Sequence, residues 1–210
     1  MARLISNREA MVRQIEQRGI DDPALLAAFR AVPREQFISP DLAAVAYDDR
    51  PLPIESGQTI SQPYVVALMI HAAQIGANDR VLEVGAGSGY AAAVIGQVAG
   101  EVIAIERHGE LVRIAAERMR HLGYGNVRIV EGDGTQGWPA AAPFDAILAA
   151  ASGTRVPDAL IEQLKPGGRL VMPLGGQYWG QQLVKLTRHA DGSTSREHLA
   201  AVQFVPLIEP

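Results

Sequence analysis

The chain has 210 residues and a formal net charge of −4, and 48% of its residues are hydrophobic. This length suits one domain with a substantial core, and an acidic balance without a Lys/Arg run disfavours a nucleic-acid partner. Cysteine is absent, which excludes disulfides and cysteine metal sites and agrees with a reducing compartment. The charged N-terminus lacks a signal-peptide core, and no window reaches the roughly 18 apolar residues of a membrane span, so a cytoplasmic protein is expected.

Helical patterns fill the first third of the chain. The spacing of apolar side chains, with the glycines and prolines that bound it, predicts three helices: residues 4–18, 23–32 and 63–76. Asp21 or Asp22 is suited to cap the second helix. Ser61, two positions before Pro63, is a favourable cap for the third helix.

From residue 80 onward, short β-rich runs alternate with helical patterns. The predicted strands are 80–85, 101–106, 126–133, 144–150 and 168–175. The predicted helices between them are 89–99, 108–122 and 156–164. Strands that alternate with helices form right-handed crossovers, so the predicted fold class is α/β, a doubly wound and mostly parallel Rossmann-like sheet. Two further runs, 181–189 and 200–207, predict an antiparallel hairpin at the sheet edge.

A glycine-rich loop follows the first predicted core strand. In VLEVGAGSGY, Gly85, Gly87 and Gly89 lie between that strand and a helix, which lets a ligand approach the backbone and the N–H groups of the helix. A dinucleotide fingerprint would need glycine where Tyr90 stands, which argues against a nicotinamide-dependent oxidoreductase. For the glycines alone, a structural turn is an alternative.

Three acids stand at the carboxyl ends of successive predicted strands, where ligands of open α/β sheets bind. Glu106 can accept hydrogen bonds from two ribose hydroxyls, and Glu83 can orient the loop or face a ligand ammonium group. Asp133, framed by Gly132 and Gly134, can bond an adenine amino group. Each acid alone could be a solvated strand end. Together, with no Lys or Arg expected nearby, they favour a positively charged ligand without phosphate, and S-adenosylmethionine fits that description.

The segment YDDRPLPIESGQTISQPYVVA, together with VLEVGAGSGY, EGDGTQGW, PFDAIL and VQFVPL, resembles the protein-L-isoaspartate O-methyltransferases. The resemblance spans essentially the whole chain from residue 30 onward, and its most specific element is GQTISQP. It implies a class I methyltransferase fold, S-adenosylmethionine as cofactor, and methyl transfer to the α-carboxylate of isoaspartyl residues in damaged proteins and peptides. The resulting ester would cyclise to a succinimide and reopen, partly to normal aspartate.

The order of the predicted elements divides one domain over residues 1–210 into three parts. A helical cap and substrate-side segment would cover 1–78, a core that binds the cofactor 79–175, and a terminal hairpin 176–210. Isoaspartyl proteins and peptides are the expected partners of a monomer, without nucleic acid or membrane. No metal is expected, because the five histidines lack metal-ligand spacing.

Gln58, Thr59 and Ser61 are the predicted catalytic residues. A carboxylate is already ionised at neutral pH, so its methylation needs no general base and depends on positioning. The Thr59 and Ser61 hydroxyls, the Gln58 amide and N–H groups of a helix beginning at Ser61 can hold the anion without the cation that would quench it. Ser61 could instead be only a helix cap.

Three features depart from the family pattern. Ala150, Thr154 and Arg155 replace the usual Thr, Pro and acid after the fourth core strand, Glu55 stands where the family tends to have glycine, and Gln203 where it often has a basic residue. These departures leave open a methyltransferase for another carboxylate or small-molecule acceptor, or a non-catalytic cofactor-binding homologue. His71 is expected to pack in the interior. Trp138 could plug the sheet edge or line the adenine pocket, and packing is the favoured alternative.

Overall fold

A seven-stranded sheet with helices on both faces organises the computed structural model, which describes residues 2–176 and 179–208. Within these residues the helices are α1 (Ala2–Gln17), α2 (Pro23–Ala31), α3 (Pro63–Ala73), α4 (Tyr90–Gly96), α5 (Gly109–Leu122) and α6 (Asp158–Glu162). The strands are β1 (Leu52–Pro53), β2 (Thr59–Ile60), β3 (Arg80–Val84), β4 (Glu101–Glu106), β5 (Val127–Glu131), β6 (Phe144–Ala149), β7 (Leu164–Gly176), β8 (Trp179–Arg188) and β9 (Thr194–Val202).

The order of strands across the large sheet is β5-β4-β3-β6-β7-β8-β9. The first five strands in that order are parallel, and β8 and β9 add an antiparallel edge, which confirms the predicted doubly wound sheet and terminal hairpin. The chain proceeds from β3 outward through β4 to β5 and then returns to β6 on the other side of β3. This reversal opens a crevice at the carboxyl ends of β3 and β6, where such sheets bind ligands.

Apolar side chains fill both faces of the sheet. Because successive residues of a strand point to opposite faces, Val81 packs in the cluster that includes Phe29 of α2, whereas Leu82 packs in the cluster that includes Leu160 of α6. The N-terminal helices, α3 and α4 thus cover one face and α6 covers part of the other. Burial on both faces explains why the core strands are almost continuously hydrophobic.

The ends of two helices test the predicted caps. The Asp22 carboxylate accepts hydrogen bonds from the N–H groups of Ala24 (2.9 Å) and Leu25 (3.2 Å), which confirms one of the two predicted caps for α2. The predicted cap at Ser61 is wrong, because the N-cap of α3 is Gln62, which makes no side-chain cap bond. This helix ends at Ala73 and does not reach the predicted Gly76. The residue that follows its end, Gln74, adopts a left-handed conformation (φ 51°).

The edge hairpin differs from its predicted boundaries. Its outer strand, β9, covers Thr194–Val202, whereas the sequence pattern placed a strand over 200–207. Of the residues between the two predicted strands, 190–193 form the turn and Thr194 begins β9, because an edge strand exposed to solvent tolerates polar and charged side chains. Residues 203–208 leave the sheet instead. Residues 177–178 and 209–210 of the predicted terminal segment lie outside the described residues.

None of the helices in the described part of the chain combines the length and apolar character needed to cross a membrane. Among the same residues, no cluster of three or more His, Cys, Asp or Glu side chains could hold a metal ion.

Candidate active site

A cavity of about 1020 Å³ lies at the carboxyl ends of the parallel strands. Its wall is formed by the segment around β2 with the start of α3, and by the loop after β3 with the start of α4. The ends of β4 and β5 with the residues that follow, residues 150–151 after β6, Gln181 of β8 and the C-terminal residues 201–208 complete it. The predicted site residues in its wall are Gln58, Thr59, Ser61, Glu83, Gly85, Gly87, Glu106, Asp133 and Gly134. The fold therefore brings nine of the predicted residues together.

Gly89 is the predicted residue that this wall does not include. It lies at the N-cap of α4 with φ at 87°, in the left-handed region. A Cβ atom there would lie 3.0 Å from Cε of Met119 and 3.3 Å from Cβ of Ala115, both on α5. Gly89 thus permits a sharp turn and close packing between two helices, whereas Gly85 and Gly87 face the cavity.

Glu106, at the end of β4, binds the glycine loop through its carboxylate. Oε2 accepts a hydrogen bond from the Gly87 N–H (2.9 Å), and Oε1 accepts from the N–H groups of Arg107 (2.8 Å) and His108 (2.9 Å). The side chain is buried. A carboxylate has about four acceptor positions, so these three bonds leave capacity for a ligand hydroxyl. The predicted ribose contact is compatible with this geometry, and the carboxylate also has a structural function that the sequence pattern did not indicate.

Glu83 is a buried acid with an unsatisfied oxygen. It is 2% exposed, and its Oε2 has no hydrogen-bond partner among the described residues. Burial, with a smaller contribution from the negative charge of Glu106, raises the pKa of Glu83 well above its ordinary value. Glu83 and Ser61 also line a small recess that adjoins the cavity. A cationic ligand group in the cavity would favour the charged carboxylate, so the site suits a ligand with an ammonium or sulfonium centre.

Asp133 and Gly134 form the wall after β5. Oδ1 of Asp133 accepts hydrogen bonds from the N–H (2.9 Å) and hydroxyl (2.8 Å) of Thr135. A Cβ atom on Gly134 would lie 2.3 Å from Cγ1 of Val84, so only glycine lets this loop approach the end of β3. Trp138 lies outside the cavity wall and packs against the core cluster on the α6 side, as predicted.

The segment with the predicted catalytic residues is folded as a small hairpin. In it, Leu52 pairs with Ile60 and Pro53 pairs with Thr59, and a turn at Glu55–Gly57 joins the two strands. This pairing directs Thr59 and the following Ser61 into the wall of the cavity. Gln58 Nε2 contacts the backbone oxygen of Ser56 at 3.4 Å, so part of its hydrogen-bonding capacity is used locally.

The beginning of α3 offers fewer N–H donors than predicted. Pro63 has no N–H group, and the N–H of Tyr64 donates to Oδ1 of Asp49 at 3.0 Å. Asp49 also accepts a hydrogen bond from Gln62 Nε2 at 2.8 Å through Oδ2. An acidic side chain from the preceding loop therefore takes the first N–H group of the helix. Of the donors predicted to hold the anion, the side chains of Gln58, Thr59 and Ser61 remain in the cavity wall.

Two further expectations are wrong. Arg107 lies in the cavity wall beside the acids, although no cation was expected there, and its side chain is exposed. His71 is exposed on α3 and does not belong to the core.

Glu55 lies outside the cavity wall and pairs with Arg118 of α5 (Nη2–Oε1 3.6 Å). Nη1 of Arg118 donates to the backbone oxygen of Ser88 at 3.3 Å, so one guanidinium contacts both this turn and the glycine loop.

The sequence pattern did not identify the C-terminal wall as a unit. Residues 203–208, including Gln203, line the cavity after leaving β9. The Ser152 N–H donates to the oxygen of Val205 (2.8 Å), and the Leu207 N–H donates to the oxygen of Ser152 (2.8 Å). Such contacts join distant parts of the chain, so no local pattern indicates them.

Ala150 and Ala151 of the atypical segment line the cavity, whereas Thr154 and Arg155 are exposed outside it.

The doubly wound sheet with its antiparallel edge, and the acid-lined crevice at its reversal point, define a class I methyltransferase fold. Residues 6–210 match the family model described as protein-L-isoaspartate(D-aspartate) O-methyltransferase. The chain belongs to this family, as its resemblance predicted.

Individual relatives agree with the family match. A protein-L-isoaspartate O-methyltransferase from Rhodopseudomonas palustris is 54% identical over 196 residues, which cover 93% of this chain and 90% of the relative. A solved protein-L-isoaspartate O-methyltransferase superposes with a TM-score of 0.86 and 29% identity, over 95% of this chain and 65% of its own. A Plasmodium falciparum structure assigned to the same family, in complex with S-adenosyl-L-homocysteine, gives a TM-score of 0.81 and 27% identity over 96% and 98% of the two chains.

Proposed function

We propose that this protein transfers a methyl group from S-adenosylmethionine to the α-carboxylate of L-isoaspartyl residues in damaged proteins and peptides, the first step of their repair. The observation that carries the proposal is the shared cavity, in which the uncharged donors of the GQTISQP segment face the acids at the strand ends. The relatives named for this activity cover nearly the whole chain and support the same assignment. The absence of cysteine agrees with activity in the cytoplasm.

The residues that would hold the cofactor divide by chemistry. Glu106 would accept from the ribose hydroxyls, Asp133 would accept from the adenine amino group, and Gly85 and Gly87 would let the ligand approach the backbone. Glu83, whose Oε2 is buried without a partner among the described residues, fits a cationic group of the ligand. When bound, S-adenosylmethionine supplies a methyl group activated by the sulfonium charge.

The acceptor requires positioning more than activation. An α-carboxylate is ionised at neutral pH, so no residue has to remove a proton. The hydroxyls of Thr59 and Ser61 would donate to its oxygens, orient it and leave a lone pair available, whereas a close cation would weaken the nucleophile. Orientation and exclusion of water can contribute roughly 7–11 kcal/mol to such a reaction. Ser61 is half-buried, so part of the solvent is already excluded there.

Methyl labelling tests this proposal. Purified protein is incubated with S-adenosylmethionine that carries a labelled methyl group and with either an isoaspartyl peptide or the same peptide containing normal aspartate. Label is expected on the isoaspartyl peptide alone, as a base-labile ester. Equal labelling of both peptides, or of neither while a small carboxylate is methylated, would contradict the proposed acceptor. Failure of calorimetry to detect binding of S-adenosyl-L-homocysteine would contradict the proposed cofactor.

A further inference from the structure

The C-terminal wall of the cavity depends on one side chain of β8. Regular pairing between β8 and β9 ends where Gln181 faces Val202. Beyond that point the side-chain amide of Gln181 replaces the backbone pairing. Its Oε1 accepts from the Phe204 N–H (2.6 Å), and its Nε2 donates to the Phe204 oxygen (3.0 Å). The side chain is buried, 7% exposed. It thus makes both hydrogen bonds that an antiparallel backbone neighbour would make.

A second anchor lies on the other side of the same wall. The backbone of Ser152 binds the oxygen of Val205 and the N–H of Leu207. Hydrogen bonds therefore fix the backbone at Phe204, Val205 and Leu207. The side chain of Val205 is 37% exposed and that of Ile208 is 53% exposed. These apolar side chains line the same cavity as Thr59 and Ser61. Residues 203–208 carry no charge, and all of them except Gln203 are apolar. Because the acids proposed to hold the cofactor are at the strand ends, this wall is available to a peptide.

We infer that Gln181 is a positioning residue for the peptide acceptor: it fixes residues 203–208 in the conformation on which the isoaspartyl peptide rests. This inference rests on the proposed function. Glutamine suits the position because one amide supplies both an acceptor and a donor. A glutamate could still accept from the Phe204 N–H, but it would place a second acceptor against the Phe204 oxygen. Leucine has similar bulk and can make neither bond.

The neighbouring glutamine provides a matched control. Gln182 follows Gln181 on β8, points to the opposite face, is exposed and lies outside the cavity wall. The variants Gln181→Leu and Gln181→Glu are compared with Gln182→Leu and Gln182→Glu. For each variant, KM and kcat are measured with an isoaspartyl peptide, and the affinity for S-adenosyl-L-homocysteine is measured by calorimetry.

Both Gln181 variants are expected to raise the KM for the peptide about tenfold, because the wall without one or both bonds to Phe204 populates the conformation that binds the peptide less, and the net worth of one such bond corresponds to a factor of about ten. Their affinity for S-adenosyl-L-homocysteine should stay within about twofold of wild type, and the Gln182 variants should match wild type in both measurements. A merely structural role would weaken peptide and cofactor binding together. If Gln181→Leu does not fold, Gln181→Glu, which keeps one bond and the side-chain shape, decides by the same comparison.

The outcomes separate the inference from the proposed function. Wild-type protein that methylates isoaspartyl peptides, combined with an unchanged KM in the Gln181 variants, overturns the inference alone. An equal loss of cofactor affinity in those variants also overturns it. Wild-type protein that binds S-adenosyl-L-homocysteine but labels no isoaspartyl peptide overturns the proposed function, and the acceptor role of Gln181 with it.

Discussion

Replacement of Glu106 by glutamine tests whether one carboxylate supports both the glycine loop and the cofactor. In wild type, Oε1 accepts two backbone N–H bonds and Oε2 accepts the bond from Gly87. Glutamine keeps the shape but replaces one oxygen by an NH₂ group. The less costly orientation retains the two bonds of Oε1 and turns the NH₂ group toward the Gly87 N–H, where two donors then face each other.

The structure gives the size of the effect. A hydrogen bond to a charged group contributes about 1.5–3 kcal/mol, and burial of Glu106 leaves little solvent to replace it, so we expect Glu106→Gln to lower the free energy of unfolding by about that amount. The lost ribose acceptor should weaken S-adenosyl-L-homocysteine binding by about ten- to a hundredfold, since a tenfold change corresponds to about 1.4 kcal/mol. Urea denaturation measures the first quantity and calorimetry the second.

Glu101→Gln is the control, because it changes an acid at the opposite end of the same strand. The ion pair between Glu101 and Arg80 (2.7 Å) has side chains 47% and 43% exposed, so its loss should cost at most about 1 kcal/mol and leave cofactor affinity unchanged. Reduced stability of Glu106→Gln with wild-type cofactor affinity would refute the ribose contact. Unchanged stability would refute the support of the loop.

Three further variants address other parts of the site. Because burial raises the pKa of Glu83, the unfolded chain loses this proton first as pH rises past 4.5, and the stability due to Glu83 then falls with pH until the folded pKa is reached. In urea denaturation, Glu83→Gln should therefore stabilise the ligand-free protein more at about pH 7 than at about pH 4. An equal effect at both pH values would contradict the raised pKa of Glu83. Ser61→Ala should lower kcat about tenfold or more with little change in unfolding free energy, because Gln62 is the cap of α3; an equal loss in stability, or wild-type turnover, would remove Ser61 from the site. Gly134→Ala should destabilise by about 1–3 kcal/mol through the clash with Val84, and a wild-type thermal midpoint would show that the loop can move away.

The central sheet and the acidic side of the site could be predicted from local patterns. Continuous apolar runs separated by helical spacing determine parallel strands, because such strands are covered on both faces. Once the strands are parallel, their carboxyl ends lie at one edge, so Glu83, Glu106 and Asp133 must lie near one another. No knowledge of side-chain contacts is needed for that conclusion, and the cavity wall contains all three acids.

The remaining parts depend on contacts between distant residues. Ser61 has the chemistry of a helix cap, but Asp49 takes the Tyr64 N–H, and the chain begins the helix later. Glu55 departs from the family pattern, and its ion pair with Arg118 of a helix more than 50 residues away has no local signal in the sequence. The polar start of β9 looks like a turn because strand patterns assume one buried face, which this edge strand largely lacks. Glutamine at position 181 has no sequence feature that distinguishes it from Gln182.

The tight fit of Gly134 against β3 contrasts with the open C-terminal wall, and this contrast indicates where the enzyme could be redesigned. A side chain at Gly134 would collide with the central sheet, so variation there would disturb folding before it altered selectivity. Gln203, Val205 and Ile208 are exposed at the cavity and carry little of the core packing. A randomised library that seeks new acceptors should therefore vary these three positions and leave the glycine unchanged.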